Sequence, residues 1–241
     1  MKAKNIKAFT LIELLIVVTI IAVLASIALP AFNGVKERGD QTKDLSNAKQ
    51  IALALRQFAI DNNGQYPSHP PAATYSAAAG NPANSNEAFW WLFQSGDQTG
   101  YLQSEQIFAV PGSAYTKANP DNRLDAPGAA ARVNTLAAGE NAYAYVSGLT
   151  DTSNPTWPII ADGFTATVGT YGTNKSLVGG VWSGKKAIIA FCDGSGQIVR
   201  VNADLTVHRV ASGGAQANMF VAAADWFDAT ANPVLNPVPP P

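Results

Sequence analysis

Glu13 stands near the beginning of an apolar run, Phe9 to Phe32, that is otherwise interrupted only by Thr10, Thr19, Ser26 and Pro30. An unpaired carboxylate in such surroundings costs several kcal/mol or takes up a proton, so it calls for a cation. Lys2, Lys4 and Lys7 precede it, but lysine stems reach for polar headgroups, which favours a cation supplied by another chain. Elsewhere the residue types that do chemistry are sparse. Asp193-Gly194-Ser195-Gly196 places a serine beside an acid, yet it lacks the Gly-x-Ser-x-Gly elbow, and no histidine and acid complete a set with it. It reads as a hairpin turn. His69 and His208 lie far apart in sequence without a ligand-type neighbour at helical spacing, so both read as surface or capping residues. Cys192 is the single cysteine; it excludes an intrachain disulfide and reads as a small buried side chain beside a strand. Asp151, Asp162, Asp193, Asp225 and Asp228 offer oxygens but no dense ligand series, and no metal residue is assigned. With no triad, phosphate loop or paired carboxylates, no catalytic residue is assigned either, and the chain is not expected to be an enzyme.

The elements around these residues follow from periodicity. Residues 1–8 are a short basic leader with no acid. In a helix, residues 9–32 extend about 35 Å, enough to cross a hydrocarbon core. The helix continues over 33–63, where Leu45, Ala48, Ile51, Ala52, Leu55, Phe58 and Ala59 recur at spacings of three and four. Its other face carries Lys36, Glu37, Arg38, Asp40, Lys43, Asp44 and Lys49, a mixed-sign series expected to be solvated. Asp61-Asn62-Asn63-Gly64 ends the pattern, Gly64 suiting a left-handed cap and Pro67 preventing resumption.

Residues 64–141 are rich in turns and loops, with one short helix near 87–95. Asn84 and Glu87 form a capping arrangement ahead of Phe89-Trp90-Trp91-Leu92-Phe93. Those rings are expected in the core; an exposed Trp90-Trp91 pair would instead mark a partner surface. Strand patterns occupy Ala142–Val146, Trp157–Ala161, Ala187–Phe191, Gln197–Asn202 and Thr206–Val210, giving an antiparallel sheet region over 142–231. A last short helix is expected over Ala217–Phe227, and 232–241, ending in three prolines, as a frayed, disordered tail. The fold class is α+β, a long amino-terminal helix packed on a carboxy-terminal antiparallel sheet. Composition agrees with a loop-rich extracytoplasmic domain, and a net charge of -1 with 14% charged residues excludes a nucleic-acid surface.

Ala8-Phe9-Thr10-Leu11-Ile12-Glu13, followed by the long apolar run, resembles the amino-terminal signature of type IV pilins and type II secretion pseudopilins. The resemblance implies that a prepilin peptidase cuts between Ala8 and Phe9 and methylates the new Phe9 amine, leaving Glu13 fifth in the mature chain. Ala8 departs from the usual Gly, which bears on processing efficiency. Pro30 matches the helix-kinking proline of that family. More loosely, the unit from Tyr143, with a Tyr-rich strand, a Gly-Leu turn and a late Asp-Gly-Ser hairpin, is similar to a group of pseudopilin variants.

The implied function is a pilin-like subunit of a type II secretion pseudopilus. The alternatives are a major or minor type IV pilin and, from another class, a membrane-tethered periplasmic binding module. The implied partners are the peptidase-methyltransferase, other pilin-like subunits, and an inner-membrane assembly platform with its ATPase. The implied location is the inner membrane, single-pass, amino terminus cytoplasmic and domain periplasmic, and then the filament. An ordinary secretory signal cut near Ser26-Ile27-Ala28 is the rival, but its core would be overlong and contain Glu13. No cofactor is assigned; secretion members of the family often hold a calcium ion in a carboxy-terminal loop, so calcium is the one the resemblance leaves open.

Overall fold

The computed structural model describes residues 10–67, 82–94, 100–116, 120–126, 128–129, 132–210, 214–221 and 232–241. Two compact units divide the chain, Met1–Gln41 and Thr42–Pro241, and helix α1 (Leu11–Asp61) belongs to both. From Leu11 to Leu29, within the first unit, α1 is apolar on every side, and its described side chains there are exposed. Among the described residues no single helix is long and apolar enough to cross a membrane. Leu11–Ile27 and Phe32–Asp61 satisfy that test only as a pair bent by 44°.

In the second unit the same helix becomes amphipathic. Ala48, Ile51, Ala52, Leu55, Phe58 and Ala59 form one buried stripe, while Leu53, Arg56, Gln57 and Ile60 face outward. Asn63 (φ 55°) and Gly64 (φ 79°) take left-handed conformations, and the Gly64 N–H donates to the Ala59 carbonyl at 2.7 Å. This closing pattern satisfies a last-turn carbonyl, with Asn63 sharing the role expected of Gly64 alone. Asp44 departs from the sequence pattern: assigned to the solvated face, it is 0% exposed.

Helix α2 (Ser85–Trp90) runs into a 3-10 turn at Trp91–Phe93. Its start is the expected one: Asn84 Oδ1 accepts from the Glu87 N–H at 3.0 Å, and Glu87 reaches back to the Ala83 N–H at 2.8 Å. The strands are β1 (Tyr143–Val146), β2 (Pro158–Asp162), β3 (Lys186–Phe191), β4 (Gly196–Arg200), β5 (His208–Val210), β6 (Gln216–Asn218) and β7 (Val234–Leu235). Five of them form one antiparallel sheet in the order β4-β3-β2-β1-β7. β1 and β2 are buried throughout and read as continuous apolar runs because both faces are covered. The β3–β4 hairpin turns at Asp193-Gly194-Ser195, where Asp193 Oδ1 accepts from the Ser195 N–H at 2.7 Å and Gly194 has φ 80°.

Three expectations are corrected. The strand over Thr206–Val210 does not extend the main sheet; it supplies β5, which pairs with β6 in a separate two-stranded ribbon. β6 occupies the start of the helix expected over Ala217–Phe227, because Asn218 pairs with His208, donates to the Gly169 carbonyl and accepts from the Phe220 N–H; residues 222–227 lie outside the described residues.

The stretch 232–241 is not frayed. β7 pairs with β1, Asn236 caps the Phe164 N–H and donates to the Thr165 carbonyl, and the Val238 N–H reaches Asn86 Oδ1 at 3.1 Å. Its prolines stand where no ladder donor is required, as an edge strand allows.

Candidate functional site

At the amino-terminal end, Thr10 precedes the first helical residue and its hydroxyl accepts from the Glu13 N–H at 3.3 Å. Glu13 Oε2 in turn accepts from the Thr10 N–H and hydroxyl, each at 2.9 Å. This reciprocal pair satisfies two donors that a helix start leaves orphaned. The Thr-x-x-Glu spacing of Thr10 and Glu13 is its sequence signal. Glu13 therefore has a partner within its own chain, and it is exposed, as are Leu11, Ile12 and Leu14 through Ile16. Ala8 and Phe9 lie outside the described residues, as do Lys2, Lys4 and Lys7. Pro30 falls in the interval between the two halves of the 44° bend, and its side chain is likewise outside them.

The domain contains two groupings of acids that sequence reasoning did not assemble. Asp44 on α1 and Asp162 on β2 are both buried. Tyr143 donates its hydroxyl to Asp44 Oδ1 at 2.6 Å, and the Trp182 indole and Ile188 N–H donate to Asp162 Oδ2 at 2.9 and 2.8 Å. Asp44 Oδ2 and Asp162 Oδ1 lack any such donor. Burial first, then the Asp162 charge, pushes the Asp44 carboxyl well above the usual range. Burial also raises Asp162, against the pull of its donors, to about 6. Asp44 holds its proton more tightly than Asp162 does, and its bond to Tyr143 ties the helix to the sheet.

The second grouping is Glu105, Asp121 and Glu140, each offering a carboxylate oxygen within 4.8 Å of the others. They come from a 3-10 turn at Glu105–Phe108, from the loop around Asp121, and from the segment that leads into β1. Glu140 Oε1 accepts from the Asp121 N–H at 3.1 Å and Oε2 from the Ala137 N–H at 2.7 Å. Asp121 Oδ1 accepts from the Arg123 N–H. Glu105 Oε1 accepts from the Leu136 N–H, whereas its Oε2 is buried without a hydrogen-bond partner. Burial foremost pushes this carboxyl up to about 7; the Leu136 N–H pulls it down, and the Glu140 and Asp121 charges push it further up. The three acids are spread along the chain without a ligand-type spacing, so the sequence carried no signal for them.

Among the described residues, Asp151, Asp162 and Asp193 do not gather around a common point. Asp151 packs over Gly64, Asp162 is engaged as above, and Asp193 sits in the hairpin turn; Asp225 and Asp228 lie outside the described residues. Ser195 serves the hairpin. His208, expected to have no acid at helical spacing, does have one: Asp204, four residues earlier, meets its Nε2 through Oδ2 at 2.7 Å in a surface turn. His69 is outside the described residues. Cys192 is buried, and burial pushes its thiol up to about 12. Trp90 and Trp91 are each 5% exposed, which removes the aromatic surface patch.

Residues 3–29 match the family model for the prokaryotic N-terminal methylation motif. The amino-terminal segment is of the prepilin type. The chain is 40% identical over 62 residues to the type II secretion system core protein G of Pectobacterium carotovorum subsp. carotovorum, covering 26% of this chain and 39% of the relative. It is 36% identical over 81 residues to the type IV wide pilus major component PilA4 of Thermus thermophilus, 34% of this chain and 61% of the relative. A third relative, the type IV major pilin protein PilE1 of Neisseria gonorrhoeae, is 36% identical over 73 residues, 30% of this chain and 34% of its own. The chain thus spans less than two thirds of the length of each. No solved structure matches. Prepilin-type segment, long helix and antiparallel sheet together give the α+β layout of a pilin-like fold.

Proposed function

We propose that this chain is a pilin-like structural subunit and not an enzyme. A prepilin peptidase cuts it between Ala8 and Phe9 and methylates Phe9; the apolar helix holds it in the inner membrane; and an assembly platform with its ATPase then polymerises it into a type II secretion pseudopilus. One observation carries the reading: a helix that begins in a prepilin-type segment exposes its described apolar side chains on every side from Leu11 to Leu29. A helix apolar all round needs lipid or other helices against it. Membrane storage and filament packing supply these in turn, so extraction from lipid is nearly balanced in free energy. In the filament the Phe9 amine of one subunit neutralises Glu13 of the next, fixing the stagger between otherwise featureless apolar helices. Pro30 supplies the bend in α1.

A second reading, a type IV pilin, is favoured by the 81-residue similarity to a wide-pilus component, the longest stretch among the relatives named above. Both readings predict one molecular history. Intact mass of the protein recovered from membranes gives a chain starting at methylated Phe9, and Glu13→Ala is processed normally yet missing from sheared or crosslinked filaments. A chain starting after Ala28, or one retaining Met1, overturns the filament reading in favour of a secreted or merely tethered domain. Loss of secretion with surface pili intact in a deletion strain separates the pseudopilus from the pilus.

A further inference from the structure

We propose that Glu105, Asp121 and Glu140 bind a calcium ion that fastens the region ahead of β1. One oxygen from each residue lies within 4.8 Å of the other two. That is the spacing of oxygens around one calcium ion, since Ca–O distances of about 2.3–2.6 Å place opposite ligands about 5 Å apart. Three carboxylates at this spacing repel one another, and among the described residues no lysine or arginine forms an ion pair with any of them.

The independent pointer is Glu105 itself. The residue is 0% exposed, its Oε1 is taken by the Leu136 N–H, and its Oε2 is left buried with no donor. Leaving a buried carboxylate oxygen unmatched is costly, and a cation relieves it directly. The backbone already holds the ligands in place. The Glu105 N–H donates to Asn122 Oδ1 at 2.9 Å, Gln106 Nε2 to the Pro120 carbonyl at 2.7 Å, and the Asp121 N–H to Glu140 Oε1. Asp121 is exposed, so the site has an open side through which an ion enters and water completes the six to eight oxygens that calcium takes. An all-oxygen set with three negative charges suits a hard cation; magnesium, which demands stricter octahedral geometry and sheds water reluctantly, suits it less.

The ion would link three stretches that share no strand: the turn at Glu105, the loop around Asp121, and the segment entering β1. The test uses the full chain in detergent micelles, stripped with EDTA and titrated with calcium chloride while thermal unfolding is followed by tryptophan fluorescence. Wild type should gain a saturable rise in Tm with a midpoint of about 10⁻⁵–10⁻³ M, reaching about 5–10 °C at a hundredfold excess over that midpoint. Asp121→Asn, at an exposed position, should fold as wild type does and need at least about tenfold more calcium. Glu105→Gln should lose the response while unfolding no lower than stripped wild type, because it removes an unmatched buried charge. Wild type indifferent to calcium, with a Tm that instead climbs as pH falls, would mean protons neutralise the acids, and the proposal fails. It fails equally if Asp121→Asn and Glu105→Gln respond to calcium as wild type does.

Discussion

The two halves of α1 are built from similar residues and meet opposite fates. From Leu11 to Leu29 its apolar side chains cover the whole circumference and stay exposed; after Thr42 they narrow to the buried stripe from Ala48 to Ala59. A helix apolar all round has its partner outside its own chain, whereas a striped helix has its partner within it. One continuous helix therefore couples a segment whose stability depends on its surroundings to a segment stabilised by its own domain.

The contrast can be broken most forcefully at Leu55, fully buried in the second half. Leu55→Ala should destabilise the domain by about 2–5 kcal/mol, read from chemical denaturation. A loss below about 1 kcal/mol would show that the stripe is not what holds helix to sheet. Next in size is the acid pair. Burial raises both carboxyls, so the folded state binds protons more tightly than the unfolded chain. Their contribution is fully present below about pH 4 and is lost as pH rises through about 6, the value for Asp162. Asp44→Asn supplies an amide donor at every pH, so wild type should lose stability relative to the variant as pH rises from 4 to 8, because burial raises the Asp44 carboxyl. A pH-independent difference would mean that the two acids share no proton.

Sharper discrimination comes from the first half. Thr10→Ala removes a helix cap worth about 1 kcal/mol, and should speed amide exchange at Leu11 to Glu13 while leaving the domain's denaturation midpoint unchanged. Smallest of all is Val17→Ala, expected to move domain stability by less than about 0.5 kcal/mol, because Val17 is exposed. A larger change there would mean that the exposed half is not energetically separate.

What the sequence disclosed was local. The Asn84–Glu87 cap, the helix end at Asn62 to Gly64 and the Asp193 to Ser195 turn each depend on residues within a few positions of one another, so their chemistry is written consecutively. Four strands of the main sheet were visible as apolar runs for the same reason. β7 was hidden because its prolines outweigh the short Val-Leu pair, and its pairing is decided by β1, far away along the chain. Asp44 was misplaced because helical periodicity assigns a face by the company a charge keeps, and cannot see Asp162 and Tyr143 waiting on the sheet. The Glu105, Asp121 and Glu140 cluster is likewise a product of tertiary convergence. Thr10 and Glu13 are the exception: their three-residue spacing is local and spells the cap they form with each other, although both also interrupt the apolar run.

The place of β7 sets a clock. β2, β3 and β4 assemble through neighbouring connections, but β1 has its second edge closed only when Val234 and Leu235 arrive from the far end of the described domain. That pairing closes the longest loop in the sheet and is expected to come late in folding. Until then β1 presents open backbone donors and acceptors, to which the equivalent stretch of another copy could add as readily as its own. In a protein whose proposed work requires many copies side by side, the interval before that closure is when correct assembly and misassembly compete.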